Sequence, residues 1–464
     1  MQRLVVLLVM VSGLGSAAAE RATGTKLVQS RDRSVGTPKI LYVNRCVGGC
    51  TFFAGDEDDA REGVSTIVQL PGAHQVDEFV FDDDTWGGVM SCLHEVWSPY
   101  GLTITETRPG PNEVYSEAVI AGRGGQVDAD ENFAGFAPLD QFCRSLTYAI
   151  SYTFANQWVD YGLGADTAVD ICRVASQEIA HTYGLDHIYQ FLEGDSSCSD
   201  PMTYRFDCGG QKFFRNRSAV CGEEQIRDCR CGPVQQSHSF LIGKLGTGTP
   251  LTTTELAITS PIGDTISNGA TIAAFGSSQR GIVEVEFRLN GYPWGTVPGA
   301  PFGNNGQPAA TYSFTLPPDV PDGVIDIEVE AKDDIGVSAI ATATVTKGAP
   351  CASADTCAAG QFCEAGRCIW PTPVGEVGDT CEYPQYCLEP RCDTHDGQSF
   401  CTRACITGLD DSCGDGLECV DDPGGAYCWP LADGGGCCST SRELPWGVVM
   451  LGGILAFVLG RRRR

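Results

Sequence analysis

Residues 176–187 read Ser-Gln-Glu-Ile-Ala-His-Thr-Tyr-Gly-Leu-Asp-His and hold the most informative spacing in the chain. Gln177 and His181 are four residues apart, so a helix places both side chains on one face. Gly184 stands where a glycine ends a helix and turns the chain. His187 then returns ten residues after Gln177, where it is able to complete a set of three ligands. The stretch therefore predicts a metal site at the end of a helix.

Zinc catalysis needs three protein ligands, an open position for water and a carboxylate that takes the proton of that water. Glu178, next to Gln177, is the candidate carboxylate. The pattern resembles the metzincin metallopeptidase signature His-Glu-x-x-His-x-x-Gly-x-x-His, with Gln177 in place of the first histidine. Residues 198–204, Cys-Ser-Asp-Pro-Met-Thr-Tyr, are similar to the Met-turn of that family.

The resemblance covers residues 38–245 and implies a secreted zinc-dependent endopeptidase that acts on extracellular protein or peptide substrates. The implied site consists of the metal ligands His181, His187 and Gln177, the catalytic residues Glu178 and Tyr204, and the Met-turn residue Met202. An amide oxygen is a weaker zinc ligand than an imidazole. The alternative is therefore a catalytically degenerate metzincin fold that serves as an adhesion or scaffold protein at the cell surface. No cysteine-switch sequence is recognisable before the domain, so the sequence does not support latency by a pro-segment.

The sequence predicts a multidomain protein, since at roughly 100–200 residues per domain its 464 residues suffice for two to four domains. The predicted parts are a signal peptide at 1–19, a flexible leader or short pro-segment at 20–37, an α/β metzincin-like catalytic-type domain at 38–245, a linker at 246–254, an all-β immunoglobulin-like sandwich at 255–347, a small disulfide-rich module at 351–430 and a sorting tail at 431–464.

Hydrophobic periodicity supports the two larger domains. Segments 39–44 and 145–154 are rich in β-branched and aromatic residues and predict strands, whereas 86–100 has apolar residues at helical spacing. Segment 166–183 predicts a second helix, which Asp166 or Thr167 would cap and Gly184 would end. In the second domain, alternating apolar positions predict strands that contain Val283, Val285, Phe287 and Leu289 and, later, Ile325, Ile327 and Val329. Such strands, broken by Gly and Pro, resemble the immunoglobulin-like modules of bacterial surface proteins.

The 24 cysteines indicate an oxidising, extracytoplasmic location. Twelve of them lie within 351–428 and predict disulfides of undetermined connectivity, with zinc knuckles as the alternative. A bridge from Cys172 is expected to brace the helix that carries the metal ligands. Cys198 and Cys208 bracket the predicted Met-turn and are expected to lock it, together or with other partners.

The net charge of −28 argues against nucleic-acid binding. Acidic runs at 56–59, 82–84 and 128–131 are candidate Ca²⁺ ligands, although a solvated acidic loop is the simpler interpretation. The sequence assigns no oligomeric state.

Both ends of the chain predict targeting signals. Arg3, an apolar stretch and a small-residue site near Ala19 are typical of a secretory signal peptide. At the other end, Cys437 and Cys438 precede an apolar segment and a terminal block of arginines. This arrangement resembles the MYXO-CTERM sorting tail of myxobacterial surface proteins, which implies that Cys437 or Cys438 carries a cell-surface or outer-membrane anchor. A plain C-terminal membrane anchor is the alternative.

Overall fold

The structure is a computed structural model. It describes residues 23–29, 36–161, 167–189, 199–205, 210–223, 225–303, 306–389, 391–395, 397–405, 407, 413–414, 416–422 and 425–431. The predicted signal peptide, Cys198, Cys208, and the predicted tail beyond residue 431 with Cys437 and Cys438 lie outside these residues. The chain divides into two compact units, Met1–Ile369 and Trp370–Arg464.

The first part of unit one contains strands and helices in alternation. The strands are β1 (Gly24–Val28), β2 (Ile40–Asn44), β3 (Cys50–Ala54), β4 (Val64–Ser65), β5 (Ala73–Val76), β6 (Thr103–Thr105), β7 (Tyr115–Ile120), β8 (Gly135–Asp140) and β9 (Ile150–Thr153). The α-helices are α1 (Asp83–Trp97), α2 (Thr167–Tyr183) and α3 (Ser237–Leu245), with short 3₁₀ helices at Gly124–Val127 and Ala155–Tyr161.

Six of these strands form one mixed sheet in the order β1-β8-β9-β7-β2-β6. β8 runs antiparallel to β9, and the other neighbouring pairs are parallel. Strands β4, β3 and β5 form a separate small sheet. The apolar pattern predicts that helix α1 begins at Trp86, but the helix begins three residues earlier, at Asp83. The Asp82 carboxylate accepts a hydrogen bond from the Thr85 amide at 2.9 Å and caps the helix there.

Helices α1 and α2 pack through one buried apolar cluster that includes Val89, Leu93, Ile179 and Ala180. The Cys92–Cys172 disulfide joins the two helices within this core. The predicted bridge from Cys172 is therefore confirmed. Other disulfides in this part of the chain are Cys46–Cys50, Cys143–Cys231 and Cys221–Cys229.

The prediction of a flexible leader at 20–37 is wrong for Gly24–Val28, which forms β1. This strand pairs in parallel with β8, from Gly24 opposite Phe136 to Val28 opposite Asp140. The order of this segment comes from backbone pairing with a distant strand, so no local periodicity in the sequence predicts it.

A β-sandwich follows the first part of unit one. Its strands are β10 (Thr254–Ser260), β11 (Thr265–Ile266), β12 (Thr271–Ser278), β13 (Ile282–Leu289), β14 (Tyr292–Pro298), β15 (Ala310–Thr315), β16 (Gly323–Asp333) and β17 (Ser338–Lys347). The sheets β10-β12-β15 and β11-β17-β16-β13-β14 share one apolar core. The immunoglobulin-like β fold is thus confirmed.

One detail of the sandwich differs from the predicted alternation. Val285, Phe287 and Leu289 are buried as expected, but Val283 is 46% exposed and Ile282 is buried instead. The register between β13 and β16 shifts between Ile282 and Glu284. This irregularity reverses the inward and outward positions at the start of the strand.

The disulfide-rich segment contains three hairpins, β18–β19 (Phe362–Glu364 and Arg367–Ile369), β20–β21 (Cys392–His395 and Gln398–Cys401) and β22–β23 (Leu417–Asp422 and Gly425–Pro430). Short 3₁₀ helices lie at Ala354–Thr356 and Pro384–Tyr386. Around each hairpin four consecutive cysteines pair first to third and second to fourth. The pairs are Cys351–Cys363, Cys357–Cys368, Cys381–Cys392, Cys387–Cys401, Cys405–Cys419 and Cys413–Cys428. The predicted disulfides are confirmed in place of zinc knuckles.

Within the part of the chain that the structure describes, no helix has the length and apolar character needed to cross a membrane.

Candidate active site

Helix α2 carries Gln177, Glu178 and His181, which are 3%, 0% and 0% exposed. The helix ends at Tyr183, and Gly184 follows with a φ of +105°. A side chain at Gly184 would also meet the Cys143 carbonyl oxygen at 2.5 Å. Only glycine suits this turn without strain.

The turn at Gly184 brings His187 back against His181, as the sequence predicts. The two Nε2 atoms are 3.0 Å apart, and the rings meet edge to face. Nδ1 of His181 lies 2.7 Å from the Leu185 carbonyl oxygen. Burial and the neighbouring His187 lower the pKa of His181 to about 3, which keeps its imidazole neutral at physiological pH.

Nδ1 of His187 lies 3.0 Å from a carboxylate oxygen of Glu223. The hydrogen bond from His187 and those from Arg227 lower the pKa of Glu223, so this carboxylate is ionised. Arg227 also binds Asp186 through two hydrogen bonds of 2.6 and 2.8 Å. The chain thus holds the His187 ring by a network that sequence reasoning missed, since Glu223 belongs to no recognisable motif.

A carbonyl oxygen and an ionised carboxylate only accept hydrogen bonds. The contacts to Leu185 and Glu223 therefore place the ring hydrogen on Nδ1 of both histidines. When both rings are neutral, each Nε2 carries a lone pair, and these two atoms are the ones separated by 3.0 Å. Lone pairs at that distance repel each other unless a cation or a proton lies between them.

Glu178 is the second unusual feature of the site. Neither of its carboxylate oxygens has a hydrogen-bond partner among the described residues. Burial raises the pKa of Glu178 well above its ordinary value. The side chain lies against β8, where a Cβ added at Gly135 would be 2.7 Å from its Cγ and Oε1. A buried carboxyl without a partner is costly unless water or a metal-bound group completes its hydrogen bonds.

Gln177 and Tyr204 are both in contact with Thr23, just before β1. The Thr23 hydroxyl donates to Oε1 of Gln177 at 3.2 Å, and the Thr23 carbonyl accepts from the Tyr204 hydroxyl at 2.9 Å. Nε2 of Gln177 has no partner among the described residues. The Tyr204 ring lies 4.6 Å from the His187 ring. Gln177 and Tyr204 therefore lie beside the histidine pair, as the sequence predicts.

The predicted Met-turn is a buried turn held by Asp200. Met202 is fully buried in the same apolar cluster as Ile179 and Ile188. The Met202 amide donates to the Asp200 carboxylate at 2.9 Å, and the Met202 carbonyl accepts from the Ile188 amide at 2.9 Å. The second bond ties the turn to the residue that follows His187.

Most acidic runs proposed as calcium ligands are engaged within the protein. Asp58 accepts from the Ile150 amide, Asp82 caps α1, and Asp128 accepts from the Gln69 and Leu70 amides. Asp186, His187 and Glu223 form a further group of ligand atoms within 4.8 Å of one another. Because Arg227 forms ion pairs with both carboxylates of that group, the group serves to orient His187.

No protein-family model and no curated protein matches the chain. Among solved structures, fibronectin(III)-like modules of Clostridium thermocellum CbhA match with 19% identity and a TM-score of 0.17. That match covers 28% of this chain and 60% of the other, so the chain spans less than two thirds of that structure. The CARDB domain of a Pyrococcus furiosus protein matches with 15% identity and a TM-score of 0.17, over 21% of this chain and 94% of the other. TM-scores this low support no argument about the site.

Proposed function

We propose that residues 38–245 form a metzincin-type zinc endopeptidase that cleaves extracellular polypeptides. We also propose that the chain is secreted and held at the cell surface through its C-terminal tail. The ten disulfides among the described residues support an oxidising compartment. The observation that carries the enzymatic proposal is the facing pair of Nε2 atoms in His181 and His187.

These two atoms suit a zinc ion in their chemistry, although they lie slightly closer together than two ligands of one ion. Zn–N bonds of about 2.0–2.1 Å in tetrahedral geometry hold two ligand nitrogens about 3.3–3.4 Å apart. The Nε2 atoms of His181 and His187 are 3.0 Å apart, so a small outward movement would accommodate the ion. Hydrogen bonds from the opposite ring nitrogens to Leu185 and Glu223 are the second contacts that zinc-binding histidines make. Oε1 of Gln177 is the third candidate ligand.

When bound, zinc would supply a Lewis acid that acidifies water. Glu178 is the candidate general base, because its buried carboxyl has no hydrogen-bond partner among the described residues and burial raises its pKa. It accepts the proton of the attacking water and passes it to the leaving amine. The Tyr204 hydroxyl, beside His187, would donate to the developing oxyanion in place of its present hydrogen bond to the Thr23 carbonyl.

Zinc stoichiometry of the full chain tests the proposal. The protein is stripped with a chelator, incubated with excess zinc, desalted and analysed by elemental mass spectrometry. We expect a single ion per chain, lost in His181→Ala and retained in His94→Ala, a matched change at an exposed histidine. Gln177→His should bind zinc more tightly, because an imidazole replaces an amide oxygen.

Glu178→Gln separates metal binding from catalysis. This variant should keep its zinc and lose cleavage of a peptide library, because the amide does not accept the proton of water. Absence of zinc from correctly folded protein would refute the mechanism. That result would favour the second candidate, an adhesion or scaffold domain, for which the glutamine at position 177 is the supporting observation.

A further inference from the structure

The linker predicted at 246–254 is hydrogen-bonded on both of its sides. The Gly248 amide donates to the Pro99 carbonyl at 2.7 Å, and the Thr253 amide donates to Oε1 of Gln279 in the β-sandwich, also at 2.7 Å. The first part and the sandwich belong to the same compact unit. The linker therefore holds the sandwich against the domain that carries the candidate site.

Arg280, in the turn between β12 and β13, brings a fully buried guanidinium to the boundary between the two parts. Its Nη2 donates to the Phe214 carbonyl of the first part at 2.7 Å. Its Nε donates to a carboxylate oxygen of Asp334 at 2.7 Å. A buried charge is stable only when the protein supplies its hydrogen-bond partners. The position of Arg280 is therefore fixed by groups from both parts.

Arg215 and Asn216, which follow Phe214, bind the sandwich in return. The Asn216 amide donates to the Asp334 carboxylate at 3.0 Å, and the Arg215 guanidinium donates to the Arg280 carbonyl. The guanidinium of Arg215 also lies 3.7 Å from the Asp334 carboxylate. A buried network of directional bonds favours a single arrangement of the groups that form it. The sandwich thus fixes the backbone of segment 213–216.

The same segment is bonded to the predicted Met-turn through Asp200, which is 1% exposed. One carboxylate oxygen of Asp200 accepts from the Arg215 amide and the other from the Met202 amide, both at 2.9 Å. The Met202 carbonyl then accepts from the amide of Ile188, which follows His187. Hydrogen bonds and short pieces of backbone therefore connect the sandwich to a candidate metal ligand.

We propose that the β-sandwich is part of the scaffold of the candidate active site, in which Arg280 and Asp334 are positioning residues that hold the Met-turn and His187 through segment 213–216. The catalytic importance of this scaffold rests on the proposed peptidase function. The positioning itself requires no metal and is tested in the metal-free protein.

The test compares variants of the full chain. Arg280→Met removes the buried charge and keeps an unbranched side chain. Arg288→Met is the matched control, because Arg288 on β13 binds Glu286 and Glu328 within the sandwich. Hydrogen exchange is read by mass spectrometry on peptides that cover 199–205. The ring resonances of isotope-labelled histidines are read by NMR spectroscopy.

In Arg280→Met we expect hydrogen exchange within 199–205 to accelerate roughly tenfold or more, and the ring resonances of His187 to shift. Exchange in β7 and in residues 324–330 of β16 should stay constant, as should the resonances of His74 on β5. Arg280→Lys keeps the charge but loses the planar set of donors, so it should restore only part of the protection. Arg288→Met should match the unsubstituted chain in both measurements.

A second variant keeps the test decisive, because Arg280→Met leaves Asp334 without its nearer arginine. The double substitution Arg280→Met/Asp334→Asn removes both charges, and neutral replacements of a buried ion pair are often tolerated. It should show the same two effects, since the bond to the Phe214 carbonyl is still lost. Unchanged exchange in 199–205 with unchanged His187 resonances in a folded variant overturns the proposal. Equal acceleration in β7 and in 199–205 also overturns it, because the effect would then be a general loosening of the domain.

Zinc stoichiometry of the unsubstituted chain separates this proposal from the peptidase. Absence of zinc, together with shifted His187 resonances in Arg280→Met, refutes the zinc site and supports the positioning role. One zinc ion per chain, together with unshifted His187 resonances in Arg280→Met, supports the zinc site and overturns the positioning role.

Discussion

The Cys92–Cys172 disulfide should contribute far more to the stability of helix α2 than the Cys46–Cys50 disulfide. The first closes a loop of 80 residues and the second a loop of 4. The chain-entropy relation then gives about 4.5 kcal/mol for the long loop and about 2 kcal/mol for the short one. Replacing both cysteines of a pair by alanine should therefore cost about 2.5 kcal/mol more for Cys92–Cys172.

Urea-dependent hydrogen exchange, read by mass spectrometry on peptides from α2, measures this difference in the full chain. Peptides from β16 in the sandwich serve as the internal control, because neither disulfide closes a loop that contains β16. Equal destabilisation of α2 by the two double substitutions would refute the reasoning. Loss of protection in β16 would show that the effect is not confined to the region that the disulfide crosslinks.

Three further outcomes are expected. Met202→Ala removes a fully buried side chain and should cost about 2–5 kcal/mol in the same exchange assay. Glu223→Gln removes the ionised partner of His187 and should weaken zinc binding roughly 10–100-fold in a chelator competition; an unchanged affinity would contradict the orienting role. Burial lowers the pKa of His238 from 6.5 to about 4, so the unfolded chain binds the extra proton between these values. Stability should fall as pH decreases through that window, and less so in His238→Asn.

The parts of the fold that the sequence predicted are those with strong local patterns. The helix predicted at 166–183 matches α2, described from Thr167 to Tyr183, because a capping residue and Gly184 mark its two ends in the sequence. The strand containing Ile325, Ile327 and Val329 was predicted because these residues alternate with polar ones, and all three are buried. In both segments, a short stretch of sequence specifies the structure.

The candidate metal ligands lie close to one another in the sequence, whereas the residues that orient and cover them lie far from them in the sequence. Gln177, His181 and His187 lie within the short segment 177–187, so their spacing alone predicted that they come together. Glu223 comes from a distant segment without regular secondary structure, and Thr23 reaches the site only because β1 pairs with β8. Such long-range pairings depend on tertiary packing that no local pattern encodes.

The glutamine at position 177 is able to accept a hydrogen bond and bind a metal ion through the same oxygen atom. An amide oxygen has two lone pairs, whereas the acceptor nitrogen of a neutral imidazole has one. Oε1 of Gln177 is therefore able to accept from the Thr23 hydroxyl, as it does here, and still offer a lone pair to a cation. The single lone pair of a histidine nitrogen at this position would accept from the Thr23 hydroxyl or bind a metal ion, but not both. The residue that would weaken the proposed metal site by its chemistry is thus also the one that accepts the hydrogen bond from Thr23.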